Sequence, residues 1–231
     1  MPLAICSDLS AADWIVASDL PWQRLVTFGP AGFAAYARVR FIPDPIREDQ
    51  HESEADPHAS PDEVDQWRAL LKLLAAATED PDDCYFGLWE GWGFRESARR
   101  RPSFGVPRGA RPPARSYFLF HGSLSEAGIW GAGAPANAGI WGASEFSGGG
   151  EPAFVWPCDH TWCIAADIDP HWAGIAASVP LIERLIGDAR LDAVEADPAA
   201  EQPAYREKPL GSPGASPGER APGGSARGGG R

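Results

Sequence analysis

The apolar positions fall into two rhythms. In FAAYARVRFIP, Ala35, Ala37, Val39 and Phe41 alternate with Tyr36, Arg38, Arg40 and Ile42. A period of two with aromatic and β-branched residues predicts a strand with one wetter face, and Pro43 and Pro45 end it. In SPDEVDQWRALLKLLAAAT the period is helical: Val64, Trp67, Leu70, Leu71, Leu74 and Ala77 share one face. Ser60 stands as N-cap, Pro61 suits the first helical position, and Glu63 completes a capping box. Asp62, Glu63 and Asp65 place negative charge where the helix dipole favours it.

Two aromatic runs, CYFGLWEGW from Cys84 and SYFLFHG from Ser116, predict further strands. AFVWP and TWCIAADID read as a hairpin around Pro157–His160, and SVPLIERLIGDARL as a short helix with Leu181, Ile182, Leu185 and Ile186 inward. Near the start, Pro21 suits the first position of another short helix. Few of these strands have the spacing that parallel crossovers need. The expected fold class is α+β, a mostly antiparallel sheet of about five strands backed by two to three helices.

Between these elements the chain turns polar or low in complexity. Loops are expected at 44–60, 95–115 and 123–152, inside a single domain spanning 1–200. From Glu201 the chain is nearly all Gly, Pro, Ser, Ala and charge, too little apolar surface to offset ordering, so 201–231 is expected to be a disordered tail. The third loop says AGIWGA twice, at Ala127–Ala132 and Ala138–Ala143. A repeat architecture needs at least three stacking units, so a tandem duplication in a tolerant surface loop is the simpler account. The alternative is a flap carrying Trp130 and Trp141.

Charge narrows the partners. The formal net charge is -12, and the tail from Glu201 holds five basic and three acidic residues, so the body is more acidic still. Such a surface repels nucleic acid and anionic membranes and suits a basic protein partner. The Arg-rich stretch 95–115, with Phe104 within it, sits in a Pro-rich loop and does not outweigh this. No basic leader or long apolar run opens the chain, so a cytoplasmic location with free thiols at Cys6, Cys84, Cys158 and Cys163 is expected.

The densest chemistry lies in WPCDHTWCIAADIDPHW. Cys158, His160, Cys163 and His171 are metal-ligand types, but their spacing follows no zinc pattern and strand alternation spreads them over two faces. No metal and no cofactor is expected. Asp167 and Asp169 fall on one face of a strand, and with His171 and Glu90 they are the candidate acid–base residues. Glu90 in LWEGW is ringed by tryptophan, and burial there would raise its pKa. Nucleophile elbows and phosphate-cradling glycine loops are missing. The chain has ten tryptophans, most of which should be core. Trp89, Trp92, Trp156, Trp162 and Trp172 are the candidates for a binding surface.

The stretch FVWPCDHTWCIAADIDPHWAGIAASVPLIERL resembles a group of uncharacterised proteins of high-GC actinobacteria. They share a WP-x-D-x-x-WC-x-A-x-[DE]-[ILV]-D pattern followed by a Gly-rich turn and a short helix. LPWQRLVTFGPAGFAAYARVRFIPDP is similar to the same group. The resemblance spans about 100 residues and carries over no activity and no catalytic residue.

Two functional readings follow. The first is a non-enzymatic, acidic, cytoplasmic protein-binding module, immunity-like or an adaptor. The second is a small hydrolase or ligand-binding enzyme using Asp167, Asp169, His171 and Glu90, which requires those side chains to converge.

Overall fold

The computed structural model describes residues 3–56, 58–92, 94, 96–106, 115–125, 146, 150–166 and 171–206. The AGIWGA repeat, Asp167 and Asp169 lie outside them.

Nine strands form one antiparallel sheet: β1 (Ala4–Ile5), β2 (Ala35–Arg40), β3 (Cys84–Trp89), β4 (Phe104–Val106), β5 (Arg115–Gly122), β6 (Phe154–Pro157), β7 (Cys163–Ala165), β8 (Trp172–Ala177) and β9 (Ala193–Glu195). Their order is β1-β5-β3-β6-β7-β8-β2-β9. Strand β3 takes one edge of β5. β1 and β4 share the other, at Phe120–His121 and Arg115–Tyr117 respectively. Four helices cover the sheet: α1 (Asp13–Val16), α2 (Trp22–Phe28), α3 (Glu63–Ala75) and α4 (Val179–Ile186).

Alternation along the strands feeds two cores, one on each face. On β5, Phe118 and Phe120 pack with Trp67, Leu70 and Leu74 of α3 and with α4's Leu181 and Leu185 in the same cluster. Tyr117 and Leu119 point the other way, into a cluster with Ile15, Leu25, Val26 and Trp156. A sheet sandwiched between helices has no wet face, which explains why so many of its aromatics are fully buried. No helix among the described residues is long and apolar enough to cross a membrane.

The class is α+β, but the expected count of about five strands and two to three helices is wrong: nine strands and four helices are present among the described residues. The four unforeseen strands have physical reasons for silence. β1, β4 and β9 are two or three residues long, below any detectable period. β8 is buried at all six positions, so WAGIAA shows no alternation and reads as a Gly-rich turn. Two local expectations also shift. The N-cap of α3 is Asp62, whose carboxylate accepts from the backbone N–H of Val64 and Asp65. Ser60 instead donates its hydroxyl to Asp192 at 2.7 Å. Ile186, expected inward, is exposed.

Candidate functional site

The wetter face of β2 is not wet. Arg38 is only 6% exposed, and its guanidinium lies 5.4 Å from the Trp172 ring. A buried guanidinium needs charge and hydrogen bonds to hold it. Asp44, between the two prolines that end the strand, supplies both. Arg38 donates to its two oxygens at 2.6 and 3.0 Å, and Arg40 donates to one of them at 3.1 Å. His171 donates from Nε2 to Asp44 at 3.1 Å. Burial alone would push the Asp44 carboxyl up. The hydrogen bonds from His171 and Arg38 and the guanidinium charge outweigh it and hold the group well below the usual carboxylate range.

Arg40 extends this network to the far end of α3. It donates to Asp192 from Nε at 3.1 Å and Nη2 at 2.5 Å. Gln66, fully buried on α3, donates to the carbonyls of Arg40 and Pro61 and accepts from the Asp192 N–H. Strands β2 and β8, helix α3 and the segment before β9 are thus tied by one polar network, in which the buried Arg38 Nε alone is left without a hydrogen-bond partner among these groups.

Beside it opens a groove of about 1030 Å³. His171, Trp172 and Phe28 of α2 border it while almost wholly buried themselves, the Phe28 ring 5.3 Å from Trp172. Thr27, Arg24 and Gln23 of α2 line it, as do residues 51–53 and the extended segment 198–206. That segment is fastened to the loop after β2: Tyr205 donates its hydroxyl to the Pro43 carbonyl at 2.5 Å, and the Arg206 N–H donates to the Gln50 carbonyl at 2.9 Å. The Tyr205 ring meets His171 edge-on at 4.8 Å. Ordered contacts therefore continue to residue 206, inside the stretch read from sequence as tail. The volume falls at the upper end of the range of small-molecule sites, and a mostly apolar lining with few polar groups is their usual character.

No family model, curated protein or solved structure matches this chain. Its site is therefore read from its own residues. Of the candidate acid–base set, His171 is in the groove and Asp167 and Asp169 lie outside the described residues. Glu90 is half-buried in a short 3-10 turn after β3. The pairing β3-β6-β7-β8 aligns Gly87 with Gly174 through Phe154 and Ala165, so Glu90 and His171 sit at the same end of the sheet. Three strand spacings, about 14 Å, separate them. The structure does not bring these two together.

The tryptophan candidates divide. Trp156 and Trp162 are fully buried and offer no surface; Trp162 spends its N–H on the Thr78 hydroxyl at 2.8 Å. Trp172 is buried but faces the groove. Trp89 and Trp92 are half-buried, and the Arg115 guanidinium lies 4.8 Å from the Trp89 ring. The metal-type residues scatter: Cys158 is exposed, His160 stacks on Trp14 at 4.1 Å, Cys163 is fully buried, and His171 is held by Asp44. Among the described residues no group of three or more His, Cys, Asp or Glu is placed to hold a metal.

Sequence reasoning missed Arg38, Arg40, Asp44, Asp192 and Tyr205. One signal was available. Two arginines two apart on an otherwise apolar strand, followed by an aspartate, are a pair of buried cations awaiting an anion. Asp192 and Tyr205 had none, because the groups that bond the carboxylate of one and the hydroxyl of the other lie more than 130 residues away.

Proposed function

We propose that the protein is a non-enzymatic binding module whose ligand occupies the groove over His171 and Trp172. The groove itself carries this reading: a cavity beside the sheet, with the carboxylate and arginines behind it already paired to one another. A general base must be free to take a proton. His171 spends Nε2 on Asp44, which is held ionised by two arginines, and its side chain is only 3% exposed, which suits a positioned wall better than proton transfer to a ligand. The module is cytoplasmic on this reading.

A second surface favours the basic partner that the net charge suggests. Asp80, Asp82, Asp83 and Asp159 gather around Cys84, at the end of the sheet opposite the groove. Such a field speeds association with a basic protein.

The test is a tagged pull-down from cytoplasm of the native cell, with protein and small-molecule mass spectrometry on the same eluate. The wild type is compared with Gln23→Trp, which fills the groove from an exposed helix position, and with Asp80→Asn/Asp82→Asn. A ligand retained by the wild type and absent from Gln23→Trp supports the groove. A basic protein lost only from the double asparagine variant moves the function to the acidic end.

A further inference from the structure

Resting on the groove reading, we propose that the ligand is an organic anion: an apolar body against Tyr205 and the edge of Trp172, with one negative group set on Arg24. Unpaired charge points to it. In a chain with 32 acidic and 20 basic residues, most described arginines near this face have found carboxylates. Arg38 and Arg40 hold Asp44, and Arg47 holds Asp49 and Glu54. Arg24 lines the groove half-buried on α2 and pairs with no carboxylate among the described residues. Arg206, at the end of the segment 198–206, lines the same groove and is likewise unpaired among them. The groove's own acids, Glu52 and Glu201, are exposed, whereas Arg24 is partly withdrawn from water. A guanidinium in that position gains most from an anion that arrives with the ligand, through paired N–H donors. The overall negative charge of the protein does not cancel this, because distant surface charges are screened within about 8 Å at physiological salt.

The experiment uses two fluorescent probes with the same aromatic body, anilinonaphthalene sulfonate and the uncharged N-phenylnaphthylamine. They are titrated against the full chain and its Arg24→Gln, Arg24→Lys and Gln23→Trp variants, each checked for an unchanged melting temperature. The expected result is that both probes bind and Gln23→Trp weakens both. Arg24→Gln should weaken only the sulfonate, by about tenfold, the loss of one charge-assisted contact, and Arg24→Lys should restore part of it. Equal effects of Arg24→Gln on the two probes overturn the anion inference and leave the groove standing. Probes that do not bind, or that ignore Gln23→Trp, overturn the groove reading and this inference with it.

Discussion

Asp44 is the residue on which most depends. It neutralises Arg38 and takes hydrogen bonds from Arg40 and His171. Removing one partner of a buried ion pair leaves the other uncompensated, so Asp44→Asn is expected to cost about 3 kcal/mol in denaturant unfolding. The same contacts set a pH dependence. The folded carboxyl is held below its ordinary value near 4. Its contribution is therefore complete above that pH and declines as pH falls toward the folded value. Melting curves between about pH 7 and pH 3 should show an acid-side loss that is shallower in Asp44→Asn. The thiols give a second residue-scale expectation. Burial, with Asp83 and Asp159 nearby, pushes Cys84 up to about 12, and complete burial pushes Cys163 up. Burial and Asp8 push Cys6 up to about 11. Cys158 is exposed, though its hydrogen bond to Asp83 raises it. A thiol reagent at about pH 8 is expected to modify Cys158 alone in the folded protein, and all four cysteines in denaturant.

At the scale of elements, helix α2 is seated on β8 by a glycine. A Cβ at Gly174 would lie 1.8 Å from the Thr27 carbonyl oxygen, closer than any packing tolerates. Gly174→Ala must push α2 off the sheet, and since α2 is one wall of the groove, stability and probe binding should fall together. The expected loss is about 2–3 kcal/mol by denaturant titration. If only stability falls, α2 does not shape the site. α2 ends at Gly29, whose φ of 75° suits glycine and whose Cα faces Cys163 across the same packing plane. These two glycines show why the region did not read as a site: close backbone approach leaves no hydrophobic period. The long helix α3 was legible because its period, its acidic first turn and its apolar face agree. Its cap was misread by two residues because Asp62 and Ser60 are both capping types, and only Asp192, distant in sequence, decides which does what.

For the whole molecule, the boundary of the folded region is testable by truncation. Ending the chain after Arg206 should leave melting and probe binding unchanged. Ending it after Asp197 removes Tyr205 and its bond to Pro43, one wall of the groove with it. A loss of about 1 kcal/mol and of probe binding is expected there. Taken by itself, the sequence determined the α+β class, the strands β2, β3, β5, β6 and β7, the helices α3 and α4, the largely buried tryptophans and the net negative charge. Each of these is written in local period or in composition, which act without knowledge of neighbours in space. Only the tertiary structure decided the rest. It made a buried cation pair of an apparently wet strand face. It assembled Asp44, Asp192, His171 and Tyr205 from the two ends of the chain, and made a groove wall of a stretch that composition assigns to a tail. The physical reason is range: a period is set by residues three or four apart, whereas an ion pair or a cavity exists only once the sheet has brought remote segments together.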